Sequence, residues 1–208
     1  MIRLLLMTAG IGLVADAPTP KTWDKADLGK VPTGWKSLST GEKGATKWEL
    51  KADKKNRLAL TQTGISPGPV FNLCVADEPS VADLEVSILF NSQAGKKDQG
   101  GGLVWRFQDA NNYYVARMNP LEDNFRLYKV VDGARKQLAT AEDLVVKVGT
   151  WHRLTIRMKG DKIECLLDGK KHLTATDSGI TKAGRVGLWT KADAVTAFAD
   201  LKIGPTPK

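Results

Sequence analysis

The residues best suited to chemistry fall in two places. Asp83 and Glu85 stand two apart in Val81–Asn91, where Leu84, Val86, Ile88 and Phe90 alternate with Asp83, Glu85 and Ser87. Residues at that spacing share one face of a strand. Two carboxylates on one face are the equipment of retaining glycoside hydrolysis, which holds them roughly 5 Å apart. The same pattern also describes a charged strand that faces solvent and guards against edge pairing. The second place is Gly100–Leu138, which carries Arg106, Tyr114, Tyr128 and Gln137. Tyrosine rings offer flat apolar faces to sugar C–H groups, while Arg and Gln supply donors for hydroxyl or carboxylate oxygens. The competing reading is an ordinary outer sheet face, where such cross-strand pairs stabilise pairing by about 0.2–1 kcal/mol each.

Other chemistries find little support. Of the two histidines, His152 opens a strand on its apolar side and reads as structural, and His172 follows two lysines near a turn. There is no Gly-x-Ser-x-Gly elbow, no Ser-His-Asp spacing and no Cys/His zinc cluster. Cys74 and Cys165 make an even pair, which leaves a disulfide open. Cys165 also alternates with Ile163 and Leu167, as a buried thiol would.

Both candidate places need a sheet to position them. Gly100–Leu138 reads as four antiparallel strands, with turns at Asp109–Asn112, Asn119–Asp123 and Asp132-Gly133. In that register Leu103, Trp105 and Phe107 share an inner face with Tyr113, Val115, Phe125 and Leu127. Val115 then falls between Trp105 and Leu127, and Leu138 lies opposite Leu127. Arg106, Tyr114, Tyr128 and Gln137 form a row of roughly 14 Å on the other face. A slip of one residue would invert every side chain.

Further strands are expected near Trp35 (a short one) and at Thr46–Lys51, Arg57–Thr63, Val70–Val75, Val81–Asn91, Gly184–Thr190 and Val195–Ile203, with one helical turn at Asp77–Ser80. Trp151–Lys159 and Lys162–Asp168 form a hairpin on Gly160-Asp161, setting Leu154, Ile156 and Met158 against Ile163, Cys165 and Leu167. Asn91–Gly102 reads as a mobile polar loop and Ala141–Gly149 as a connection. Many short strands with Gly/Asp turns mean an antiparallel sandwich or barrel.

With 208 residues the chain suits one such domain. Its net charge of +8 comes from lysines scattered over strands and turns, as on a solvated surface. The sharper reading of that charge is attraction to an acidic polysaccharide. Nucleic acid is disfavoured, because no helix-turn-helix, zinc-finger or RNA-recognition signature accompanies it. Met1–Ala17 has the n-region, apolar run and Ala15-Asp16-Ala17 site of a secretory signal peptide. Its apolar run is too short for a membrane span. The chain thus divides into residues 1–17 as a signal, 18–45 as a leader pinned by Trp23 and Trp35, 46–203 as the sandwich and 204–208 as a tail. A secreted, periplasmic or cell-envelope location follows.

Several motifs occur in the order of a known superfamily: Gly102-Leu-Val-Trp-Arg106, Gln108-Asp-Ala-Asn-Asn-Tyr-Tyr114, Gly149-Thr-Trp-His152, Leu167-Asp-Gly169, Gly184-Arg-Val-Gly-Leu188 and Phe198-Ala-Asp-Leu-Lys-Ile203. They resemble the concanavalin A-like lectin/glucanase superfamily, and laminin-G-like domains in particular. The chain is also similar to the 3-keto-disaccharide hydrolase-like domain. It shares a Trp-rich start, the acidic strand Val81-Ala-Asp-Leu-Glu85 and the Gly-x-x-x-Arg strand ending at Arg106. Tyr114, Ala116, Trp189 and Lys191 stand where that family carries polar groups. The resemblance implies an all-β antiparallel jelly-roll sandwich of concanavalin A-like type. It implies a glycan or oligosaccharide partner, and a catalytic set drawn from Asp83, Glu85 and Arg106. It also makes Asp200 a candidate for a structural calcium, with no other cofactor expected. Three functions remain open: an exported carbohydrate-binding module, a hydrolase or lyase acting on 3-keto-glycosides, and a structural interaction domain of the cell envelope.

The signal sequence yields the first prediction. N-terminal sequencing of the exported protein should find a chain starting near Pro18; a cytoplasmic product starting at Met1 would contradict it.

Overall fold

The computed structural model of the protein describes residues 23–41 and 44–207. A 3-10 turn at Lys25–Asp27 is capped by the Asp24 carboxylate, which accepts from the Ala26 N–H. Strands follow as β1 (Trp35–Thr40), β2 (Trp48–Ala52), β3 (Leu58–Gln62), β4 (Phe71–Ala76) and β5 (Leu84–Ala94). The central run is β6 (Gly101–Asp109), β7 (Asn112–Asn119), β8 (Asn124–Val131) and β9 (Ala134–Ala141). The chain continues through β10 (His152–Lys159), β11 (Lys162–Leu167), β12 (Lys170–Thr176), β13 (Arg185–Lys191) and β14 (Val195–Gly204). They form two antiparallel sheets, the first ordered β1-β4-β13-β6-β7-β8-β9 and the second β12-β11-β10-β5-β14-β3-β2. This is the expected jelly-roll sandwich.

The core between the sheets gathers Leu84, Val86, Ile88 and Phe90 of β5, Leu154, Ile156 and Met158 of β10, and Leu103 and Trp105 of β6. The β10–β11 hairpin has the register read from its alternation, with Ile156 opposite Cys165 and Met158 opposite Ile163. Trp105 donates its indole N–H to the Met158 sulfur at 3.0 Å and stacks on Tyr114 at 5.6 Å. Cys74 and Cys165 are both free, and burial pushes both thiols up.

Three local expectations change. The short strand expected near Trp35 is β1, and rather than packing on the sandwich it pairs with β4 at the edge of the first sheet. Trp23 and Trp35 do pin this end, meeting edge-on at 5.9 Å. No helical turn forms at residues 77–80, where the Asp77 N–H instead donates to the Gly34 carbonyl. Residues 91–102 are not a free loop: β5 runs on to Ala94, and the Asp193 carboxylate accepts from the N–H groups of Lys96, Lys97 and Asp98. The signal peptide lies outside the described residues.

The register of β7 is the largest correction. Trp105 opposes Tyr114, and Asp109 opposes Asn112, so β6 has three residues where β7 has one. Arg106 takes a φ of 46° within this bulge. β7 therefore turns Tyr114, Ala116 and Met118 inward, and Tyr113, Val115 and Arg117 outward. Phe107 moves to the outer face with them. Val115 opposes Tyr128, and Leu127 opposes Ala116 and Ala139, with a second bulge that displaces Leu138.

The outer face of the first sheet is itself a second core, built from Phe71, Leu73, Val104, Tyr113, Tyr128 and Trp189 among others. The sheet must curl to bury it. In a flat sheet β9 and β4 would lie about 24 Å apart. Yet the Arg135 guanidinium of β9 sits 5.0 Å from the Phe71 ring of β4. Thr40 of β1 likewise reaches the Tyr113 hydroxyl of β7 at 2.8 Å. The outer face is thus concave.

Because Trp105 fills the space between the sheets, Trp105→Ala should cost about 3–5 kcal/mol in a denaturant titration. A midpoint near wild type would contradict this packing.

Candidate functional site

The concave face combines aromatic rings with polar groups that ordinary packing leaves unpaired. Its floor is set by glycines. A Cβ on Gly102 would lie 2.9 Å from Arg117 Cβ and 2.6 Å from the Ala116 carbonyl oxygen, so only glycine admits the buried Arg117 side chain. Arg117 is 2% exposed. It donates from Nη1 to Asn124 Oδ1 at 2.6 Å and from Nη2 to Glu122 Oε2 at 2.9 Å, and it lies 5.9 Å from the Tyr128 ring. The connection from β7 to β8 places Glu122 there, since Asn119 and Asn124 are paired and the Glu122 N–H donates to the Asn119 carbonyl. Arg126 also donates to Glu122, at 3.2 Å.

Arg135 is bound differently. Its guanidinium lies 4.3 Å from the Tyr128 ring, 5.0 Å from Phe71 and 6.0 Å from Trp189. Guanidinium groups favour such π faces. It makes no ion pair among the described residues, and burial lowers its pKa.

Four buried donors on this face have no acceptor in hydrogen-bond geometry among the described residues: Arg117 Nε, Asn119 Nδ2, Arg135 Nη1 and Trp189 Nε1, the last beside the Tyr113 hydroxyl. Buried polar groups are normally satisfied, so each unmet donor calls for a partner such as a water or a ligand atom. Trp48 Nε1, Gln62 Oε1, Asn91 Oδ1 and His152 Nε2 of the second sheet are likewise unmet, singly, among the described residues. Two carboxyl groups border it with opposite tendencies. Burial pushes Asp98 up, against the pull of its hydrogen bond from the Gly100 N–H. Burial also pushes Glu122 up, but the Arg117 hydrogen bond and charge outweigh it and hold it below the usual carboxylate range.

The residues singled out from sequence are dispersed. Arg106 is 2% exposed and lies at one end of the sandwich. Its guanidinium donates to the carbonyls of Ala82 at 2.9 Å, Ile180 at 2.8 Å and Gly160 at 2.7 Å, and pairs with Asp83 at 3.3 Å. Every bond is to the protein itself. Tyr114 is in the core, where its hydroxyl donates to Asp177 at 2.6 Å and accepts from the Ile180 N–H. Burial and then Asp177 push the phenol up to about 12. Tyr128 and Gln137 do pair on the concave face, Gln137 at its exposed margin. The predicted row therefore does not exist. The one-residue slip in β7 sends Tyr114 inward, and the bulge sends Arg106 to the sheet end.

Asp83 and Glu85 do not act together. Asp83 accepts from Arg106 and from the Gly160 N–H at 2.9 Å, whereas Glu85 accepts from Arg157 at 2.6 Å. Asp200 faces Arg153 and Lys202, cations that do not fit a calcium site. Among the described residues no group of three or more His, Cys, Asp or Glu is placed to hold a metal ion. His152 Nδ1 pairs with Asp168 at 2.7 Å, a structural contact. Beside Arg106 a cleft of about 310 Å³ opens between Gln108, Asn112 and Lys182, with no unmet buried donor. No helix among the described residues is long and apolar enough to cross a membrane.

The fold defines a concanavalin A-like β-sandwich. The chain belongs to the family of 3-keto-alpha-glucoside-1,2-lyase-like domains, whose model matches residues 22–204. Among solved structures it is similar to the carbohydrate binding module CBM66 from Bacillus subtilis, with 21% identity, TM-score 0.67, and coverage of 83% of this chain and 96% of that one. A Bacillus subtilis protein of unknown function with a galectin-like fold has 12% identity and TM-score 0.65, covering 92% of this chain and 96% of its own. Bacillus licheniformis beta-glucanase also has 12% identity, with TM-score 0.60 and coverage of 88% and 96%. No protein of curated function matches the chain.

The Glu122 environment sets a pH dependence. Its folded-state pKa lies below its unfolded value of about 4.3, so its contribution is complete above that value and is lost as pH falls through the folded one. Glu122→Gln should lower stability at neutral pH and flatten the acid limb of denaturation midpoint against pH. An unchanged acid limb would contradict the Arg117–Glu122 pairing.

Proposed function

We propose that this is an exported saccharide-binding domain whose ligand occupies the concave face of the first sheet. One observation carries the reading: four buried donors without acceptors lie on that face, beside aromatic rings. Sugar hydroxyl oxygens accept from such donors, and sugar C–H faces lie against aromatic rings. The likeness to a carbohydrate binding module and a beta-glucanase supports the substrate class. Export rests on the signal sequence at residues 1–17.

Family membership favours a second reading, elimination across C1–C2 of a 3-keto-glucoside. That reaction needs a base for the C2 proton, made acidic by the neighbouring ketone, and an acid for the departing C1 oxygen. Glu122 and Asp98 are carboxyl groups on this face that their surroundings push in opposite directions. Such a divergence is how sites divide acid and base roles.

Calorimetric titration over an oligosaccharide panel tests the first reading. Arg117→Gln should weaken binding about ten-fold or more, the worth of a hydrogen bond to a charged donor. Tyr114→Phe, altered only in the core, should bind as wild type does. Turnover of a 3-keto-glucoside that is lost in Asp98→Asn would favour the lyase. A wild-type protein that neither binds nor turns over any sugar would leave an interaction role in the cell envelope.

A further inference from the structure

The charges on the concave face do not balance. Glu122 is shared by Arg117 and Arg126, at 2.9 and 3.2 Å, so the one carboxylate held ionised there is already committed. Asp98 is buried at 2% exposure, accepts from the Gly100 N–H, and is pushed by burial toward its neutral form. Lys191 adds a further cation at the β13 margin, half-exposed. That leaves Arg135 with no carboxylate within ion-pair distance among the described residues, Asp98 and Glu122 acting on it only from farther off, with three aromatic rings within 6.0 Å and a buried Nη1 that donates to nothing.

Arg135 is half-buried with its Nη1 fully covered, and a cation so placed without a partner is costly, π faces compensating only in part. A carboxylate would complete the site on both counts. It supplies the missing charge and brings two planar acceptor oxygens that match the guanidinium fork. The adjacent unmet donors, Trp189 Nε1 and Arg117 Nε, suit ring and hydroxyl oxygens of the same residue. We infer that the concave site selects an acidic saccharide, its uronate carboxylate seated on Arg135. The inference rests on the saccharide-binding reading and narrows it to a ligand class. It places the recognition of acidic sugar in one recessed guanidinium rather than in the scattered surface lysines.

The test compares a galacturonate trisaccharide with its neutral galactose counterpart by calorimetry, at low and physiological salt. Wild type should bind the uronate at least about ten-fold tighter, a difference of about 1.4 kcal/mol. Arg135→Met should abolish that preference while still binding the neutral sugar, and Arg135→Lys, which keeps charge but loses the fork, should fall between. A paired thermal melt checks folding, and the Lys variant decides the matter if the Met variant is unfolded. Equal affinity for both sugars would overturn the inference and leave saccharide binding intact. So would a preference that survives Arg135→Met but is lost in Lys170→Gln/Lys171→Gln, which would mark surface charge as its source. Binding of neither sugar would overturn the saccharide reading as well.

Discussion

The arrangement of the concave face depends on how Arg106 is held. Its backbone takes a left-handed φ that costs a non-glycine residue of order 1–3 kcal/mol. Its guanidinium repays this by joining Ala82, Gly160 and Ile180, three segments that otherwise meet only at the end of the sandwich. Gly184 is the complement of this bulge, since a Cβ there would lie 2.4 Å from the Arg106 carbonyl carbon. The bulge fixes the offset between β6 and β7, and the offset decides the face of every β7 side chain. Tyr114 goes to the core and Arg117 to the concave side as a consequence. An arginine that looks like a ligand contact is the clamp that places the residues of the concave face.

The curl of the first sheet is the second constraint. A one-sided sheet would leave Phe71, Tyr128 and Trp189 on an exposed surface. Curling lets them bury one another and draws Arg135 of the last strand over β4 and β13. The result is a packed floor with unmet donors. The second sheet has unmet buried atoms too, Trp48 Nε1, Gln62 Oε1, Asn91 Oδ1 and His152 Nε2, but among the described residues they do not gather on its outer face as donors. Its outer face has small residues such as Ala59, Ala197 and Ala199, and its charges are paired, as in Arg157 with Glu85.

Much of this fold was legible from sequence, and the exceptions have physical causes. Strands that are buried on one face, such as Leu84–Phe90 and the Gly160-Asp161 hairpin, alternate cleanly, and their register was readable. Tyr113-Tyr114-Val115-Ala116 has no alternation, because both faces of β7 are covered, so periodicity could not tell inside from outside. Bulges at Arg106 and near Leu138 then moved the register by amounts that turn residues alone do not encode. Of the proposed row, only Tyr128 and Gln137 share the concave face. Arg117, Asn119, Glu122 and Arg135 carry no signal of a site in the sequence, because each sits in an ordinary strand or turn context, and Trp189 stands out only as an apolar residue at a position where the family carries a polar one. The Gly100-Gly101-Gly102 run was the available signal, since consecutive glycines in a strand imply a close approach by something bulky.

The central claim is that saccharide meets the concave face, and the indole N–H of Trp189 reports on it directly. It is a buried donor without an acceptor among the described residues; that of Trp105 is already bonded to Met158, and that of Trp48, likewise without an acceptor, lies beside Phe198 in the core between the sheets, away from the concave face. In a ¹H–¹⁵N spectrum, titration with a bound oligosaccharide should shift the Trp189 indole resonance downfield and leave those of Trp105 and Trp48 in place. A saccharide that binds without moving the Trp189 signal would contradict the account.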